Sequence, residues 1–168
     1  MRTLVVKKWY IVTSKKEIIS SKNYELHTDQ SVTTLLSELA NIIESAKSQV
    51  AIYANASLVM LNWHIGRRIN RDILQEERAG YGEKIIKHLS KELILRYGNG
   101  FHQRSLLRMV KFAKIYDDEQ IVTTLSSLLS WSKFIELTAI DDPLKREFYT
   151  EMCRLENWSV RTLREKVS

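Results

Sequence analysis

The sequence predicts an all-α fold built on one long amino-terminal helix and a helix-turn-helix-like pair, with a small β wing as an alternative for one segment. Three observations favour this class. The 168 residues include one Pro and five Gly, which permits long uninterrupted helices. Apolar residues recur at steps of three or four along most of the chain. The 44% hydrophobic content can supply the core of a domain.

Residues 1–28 are predicted to form a basic arm that is open to disorder. They carry six Lys/Arg against two Asp/Glu. Leu4 to Val12 is β-prone, so a short edge strand is the alternative.

A single long helix is predicted from Ser31 to about Ile73, with Asp29 or Ser31 as its cap. The residues that recur along it at steps of three or four, mostly apolar, are Val32, Leu35, Leu36, Leu39, Ile42, Ile43, Ala46, Val50, Tyr53, Ser57, Met60 and His64. A helix of roughly 40 residues is about 60 Å long, more than a small domain covers. We therefore expect a partner helix or a homodimer through residues 31–73. Two helices broken near Asn55 or Gly66 are the alternative.

Two residues within this helix have specific expectations. A glycine in a helix costs about 1 kcal/mol relative to Ala, so Gly66 predicts the close approach of another element. His64 lies on the same side of the helix as these apolar residues and is predicted to be a hydrogen-bonded core histidine.

The stretch from Gly80 to Tyr116 predicts two helices joined by a glycine turn. The first runs from about Gly82 to Tyr97, and Gly98-Asn99-Gly100 ends it, because these residues tolerate the left-handed conformation. The second runs from His102 to about Tyr116. Its apolar face holds Leu106, Met109, Val110, Ala113 and Tyr116, and its opposite face holds Arg104, Arg108 and Lys111, with Lys114 nearby. Phe112 and Ile115 do not fit this apolar face and imply further packing around the helix.

This layout is typical of a DNA-binding helix-turn-helix, although an ordinary amphipathic hairpin has the same spacing. Charge distribution favours the first interpretation. Residues 61–116 carry twelve Lys/Arg against five Asp/Glu, a net charge of +7 against +6 for the whole chain. Gln103 is placed to contact a base, and phosphate contacts are expected from the second helix and from Arg67, Arg68, Arg71, Lys84, Lys87 and Arg96.

Downstream, Ile121 to Leu129 is either a short helix or the strand of a wing. Ser130 caps a helix over Trp131–Thr138. Asp142 and Pro143 open another helix, predicted to bury Leu144, Phe148, Met152 and Leu155. Ser159 caps a last helix, which reaches Ser168 without Gly, Pro or a polar tail and so predicts a truncated chain.

Several functions are excluded at the sequence level. One Cys and four His predict neither disulfides nor a zinc cluster, and we expect no cofactor. No run of 18 apolar residues exists, so we expect a cytoplasmic protein without membrane contact. No Lys follows an Asp or Glu at the spacing of a PD-(D/E)xK nuclease, and other catalytic motifs are missing. We therefore expect no enzymatic activity from this chain.

The chain resembles the amino-terminal domain of YhcG-like proteins from about Ser31 to its end. The matching stretches are Trp63–Ile69, Tyr81-Gly82, Tyr97–Phe101, Leu129–Ser132, Asp141–Arg146, Phe148-Tyr149 and Asn157–Leu163. Two positions depart from the family pattern: His102 stands where Ser is usual, which makes a poorer helix cap, and Lys133 stands where His is usual.

The resemblance implies a helical domain of helix-turn-helix character that precedes a PD-(D/E)xK nuclease-like domain, which would begin beyond Ser168. No catalytic residue carries over. We therefore expect a DNA-binding domain that targets a nuclease to duplex DNA. The alternative is a protein-interaction or oligomerisation module of a restriction-like system.

Overall fold

The computed structural model describes the backbone of residues 2–74 and 81–168, and the side chains of residues 30–72 and 82–168. Every regular element in these ranges is helical and none is a strand, which confirms the all-α class. The helices are α1 (Arg2–Leu74), α2 (Tyr81–Tyr97), α3 (Gln103–Ile115), α4 (Glu119–Ser126), α5 (Trp131–Leu137), α6 (Pro143–Leu155) and α7 (Val160–Val167). A 3-10 turn, Asn99–Phe101, joins α2 to α3, and α4 occupies the position where a wing was the alternative.

Helix α1 passes through both Asn55 and Gly66 without a break, so the alternative of two shorter helices is wrong. It also begins well before Ser31, where a cap was predicted. The side chains of the predicted basic arm, residues 1–28, lie outside the described residues, and the role of that segment stays a prediction.

The chain divides into two units, Met1–Gln49 and Val50–Ser168. In the first unit, every described side chain, from Gln30 to Gln49, is exposed. All the buried side chains of the described residues belong to the second unit, where Val59 is the first.

Two apolar clusters form the core of the second unit, and α3 contributes to both. The larger contains Val59, Trp63, Phe112, Ala113, Val122, Leu125, Leu129, Phe134, Leu137, Ile140, Cys153 and Leu163. The smaller contains Ile69, Ile86, Leu106 and Met109. Phe112 is fully buried against the rings of Trp131 and Phe134, which confirms the further packing that its position implied.

Helices α1 and α3 make close contact at Gly66, as its place in the helix predicted. A Cβ on this residue would overlap the backbone carbonyl of Met109 and lie 3.0 Å from the Ala113 Cβ. Hydrogen bonds fix the contact on both sides: the Trp63 indole donates to the Tyr116 carbonyl at 2.6 Å, and the Asn70 amide donates to the Val110 carbonyl at 3.0 Å. The glycine therefore allows one backbone to rest on the other.

The helix caps of α5, α6 and α7 are the residues that the sequence predicts. The side chains of Ser130, Asp142 and Ser159 each accept a hydrogen bond from a backbone N–H in the first turn of α5, α6 and α7. Asp118 caps α4 in the same way. His102 occupies the cap position of α3 but makes no capping hydrogen bond with its side chain, as expected for His in place of Ser.

Two burial predictions are wrong. Leu144, Phe148 and Leu155 are exposed on α6, whose inner face instead buries Thr150 and Cys153. That face is rich in groups whose polar atoms are paired: the Arg146 guanidinium donates to the Ile140 carbonyl at 2.8 Å, and the Thr150 hydroxyl donates to the Arg146 carbonyl at 2.8 Å. His64 is also exposed rather than part of the core, and its ring lies edge-on to Trp63.

Candidate nucleic-acid interface

Helix α3 has one buried face and one exposed, mostly polar face, as the 100° spacing of its residues predicts. Leu106, Met109, Phe112 and Ala113 are buried. The exposed residues are Gln103, Arg104, Leu107, Lys111 and Lys114. Arg108 differs from the prediction by lying at the margin, half-buried, so that the outward cations are Arg104, Lys111 and Lys114.

Of Gly98, Asn99 and Gly100, the predicted turn residues before α3, Gly98 adopts a positive φ. Gly98 has φ +88° and ψ −170°, a conformation that residues with a Cβ rarely adopt, and its N–H donates to the Ile94 carbonyl at 2.9 Å. Helix α2 therefore ends at Tyr97, and the chain continues through the 3-10 turn Asn99–Phe101 into α3.

Helix α2 presents a second basic face. Lys84 and Lys87 are exposed, and His88 and Lys91 lie on the same side of the helix. Lys91 is not among the predicted contacts, although its position seven residues after Lys84 puts it on the same side of the helix. Arg96 is also exposed, but its guanidinium lies on another side, 3.7 Å from the Glu92 carboxylate.

Helix α1 carries a third basic face, formed by His64, Arg67, Arg68 and Arg71. These side chains line one cavity of about 410 Å³ together with Trp63 and Glu119. The Arg67 guanidinium carbon lies 4.8 Å from the centre of the Trp63 ring, a cation–π contact that restrains it. Arg68 pairs with Asp72 one turn later.

The predicted cations differ in how freely their charge is available. Lys111 lies 3.5 Å from the Asp141 carboxylate, and both side chains are at least half exposed. Exposed pairs of this kind contribute little stability, so a phosphate can compete with the carboxylate. Among the described residues, no carboxylate forms an ion pair with Arg104, Lys114, Lys84 or Lys87.

A larger cavity of about 510 Å³, lined by residues of α4 and α6, lies outside the three basic faces. Tyr116 lines it. The pKa of this phenol lies above its usual value of 10.0, because burial raises the pKa by more than Thr150 and Arg146 lower it. Burial likewise raises the pKa of the Cys153 thiol. Both groups are therefore neutral at physiological pH.

The described residues contain neither a metal-binding cluster nor a membrane-spanning helix. Within residues 30–72 and 82–168, His, Cys, Asp and Glu side chains form no group of three or more that could hold a metal ion. In the same part of the chain, no helix combines the length and apolarity that crossing a membrane requires.

Comparison with known proteins identifies the class. The model of the family described as the DUF1016 N-terminal domain matches residues 38–168. The chain therefore belongs to this family, in agreement with the resemblance seen in its motifs.

A curated relative comes from Escherichia coli and is named "Putative nuclease YhcG". It is 30% identical over 143 residues, which cover 76% of this chain and 38% of that protein. The chain thus matches well under half of the length of this relative. No solved structure matches the chain.

Proposed function

We propose that this chain is a non-catalytic, helix-turn-helix-like domain that binds duplex DNA in the cytoplasm and delivers a nuclease domain to it. The observation that carries the proposal is the outward face of α3. This face combines the exposed cations Arg104, Lys111 and Lys114 with Gln103 at the amino-terminal end of the helix. In helix-turn-helix proteins the second helix contacts base edges through such amino-terminal residues.

The proposed roles follow from side-chain chemistry. The Gln103 amide can form a bidentate pair with adenine, whereas the cations neutralise phosphates and carry no sequence information. Arg108 and the α2 residues Lys84 and Lys87 add further positive charge, as do Arg96 and the three arginines of α1. The relative's name, which includes the word nuclease, supports a nucleic-acid substrate for the longer protein.

The test is a fluorescence-anisotropy titration of the chain on a random duplex at several salt concentrations. If about six phosphates are neutralised, affinity should fall by roughly 10³ between 50 and 200 mM salt, because the released counterions oppose binding. No binding at 50 mM salt would refute the proposal.

A charge-reversed pair locates the interface. Arg104→Glu with Lys114→Glu should weaken binding at least tenfold, since each reversal removes one phosphate contact and adds repulsion. The matched control is Arg161→Glu with Lys166→Glu on α7, which changes net charge by the same amount at two other exposed positions. Equal effects of the two pairs would mean that α3 is not the contact surface.

A second candidate function is a protein-interaction module of a restriction-like system. The exposed apolar residues of α1 favour it, because apolar side chains in such numbers are uncommon on a surface without a partner. Under this alternative the chain binds another protein component, and the α3 reversals leave its activity in the system unchanged.

A further inference from the structure

The part of α1 within the first unit carries an apolar face that nothing in the described chain covers. Six large side chains between 32 and 43 are between 49% and 65% exposed: Val32, Leu35, Leu36, Leu39, Ile42 and Ile43. Half-exposed side chains of this size amount to roughly 600 Å² of apolar surface, the upper end of what a monomer displays.

The spacing within this face is that of a coiled coil. Val32, Leu36, Leu39, Ile43 and Ala46 follow one another at alternating steps of four and three. This repeat keeps one seam facing a neighbouring helix over successive turns. Leu35 and Ile42 lie directly beside the seam and widen it.

A helix in this state requires a partner. Helices are marginally stable in water by themselves, and most of their stability in proteins comes from burying an amphipathic face. Every described side chain from Gln30 to Gln49 is exposed, so the described residues supply no such burial there. The apolar area approaches the roughly 800 Å² that each member of a specific complex buries.

The charges on this segment favour a second copy of the same chain as the partner. Between Gln30 and Gln49 the charged residues are Glu38, Glu44 and Lys47, and none of them belongs to the seam. The Lys47 ammonium already pairs with the Glu44 carboxylate at 2.8 Å. The segment therefore repels a copy only weakly and offers no strong field to attract a partner of opposite charge.

We infer that two copies of the chain pair through the seam formed by Val32, Leu36, Leu39, Ile43 and Ala46. A twofold pairing brings the same patch of each copy together, so both apolar faces are covered at once. The inference concerns a surface outside α2 and α3 and holds whether or not the chain binds DNA.

Light scattering on the full chain after size-exclusion chromatography tests the pairing. The expected mass at about 100 µM is twice the 19.7 kDa of one chain, with dissociation on dilution, since association depends on concentration. A mass of one chain at every concentration would overturn the inference and leave a different protein as the occupant of the face.

Matched double variants locate the interface. Leu39→Lys with Ile43→Lys should raise the dimer dissociation constant at least tenfold. Asn41→Lys with Ser48→Lys adds the same charge at exposed positions outside the seam and should leave the mass unchanged. Because all four side chains are exposed, circular dichroism should show folded protein in both variants. A dimer that survives the Leu39 and Ile43 changes would contradict this interface.

Discussion

At the scale of the residue, Gly66 allows two helices of the second unit, α1 and α3, to pack closely. In an isolated helix, Ala at this position would be favoured over Gly by about 1 kcal/mol. In the folded chain an added Cβ overlaps the Met109 carbonyl, so α1 and α3 would have to separate. The steric clash disfavours Ala at this position, whereas helix propensity favours it. The larger of the two effects decides whether Gly66→Ala stabilises or destabilises the folded chain.

We expect Gly66→Ala to lower the free energy of unfolding by about 1–3 kcal/mol, the usual cost of overpacking a core. Urea denaturation followed by circular dichroism measures it. Gly100→Ala is the matched control, because no atom lies within 4 Å of its added Cβ and its φ is not left-handed. An unchanged or increased stability of Gly66→Ala would show that the helices do not meet at this glycine.

At the scale of the element, α3 connects the core to the exposed surface. Leu106 and Met109 enter one core cluster, and Phe112 and Ala113 enter the other, so that α3, like α1, contributes to both. Its outward face carries the proposed DNA contacts. Rigid positioning of those cations is therefore a consequence of burial on the opposite side of the same helix.

The start of α3 is its weak point, and this predicts a stabilising substitution. His102 has the extended backbone of a cap residue, φ −59° and ψ 154°, but its side chain bonds no N–H of the first turn. His102→Ser should raise the free energy of unfolding by about 0.5–1 kcal/mol, because a serine hydroxyl accepts such a bond. Urea denaturation measures the change, with His88→Ser on the exposed face of α2 as a control that offers no cap. No gain at His102 would mean that the N–H groups there are already satisfied.

At the scale of the molecule, the buried side chains of the described residues all belong to one unit. All buried side chains among the described residues lie at Val59 or later, whereas the exposed seam lies before Val50. Stability and self-association should therefore reside in different segments of the chain.

A protein comprising residues 50–168 tests this division. We expect it to unfold cooperatively, with a thermal midpoint within about 4 °C of the full chain, a shift that corresponds to less than 1 kcal/mol. Calorimetry measures the midpoint, and light scattering should show a monomer, because the seam is removed. Loss of cooperative unfolding would indicate that residues before Val50 contribute to the core.

Sequence alone determined what depends on neighbouring residues. Capping by Ser130, Asp142 and Ser159 and the glycine turn at Gly98 are set within a few positions, because a cap or a left-handed residue acts on the backbone beside it. The helical class and the two faces of α3 follow from spacing in the same way.

Tertiary structure decided what depends on distant residues. The inner face of α6 could not be predicted from its apolar residues, because paired polar atoms around Arg146 and Thr150 make the opposite side suitable for burial. The contact of Lys111 with Asp141, and the identity of α3 as the element that packs against Gly66, likewise depend on residues far apart in the chain. Spacing along one helix determines which side chains share a face, whereas the packing of the other helices determines which face is buried.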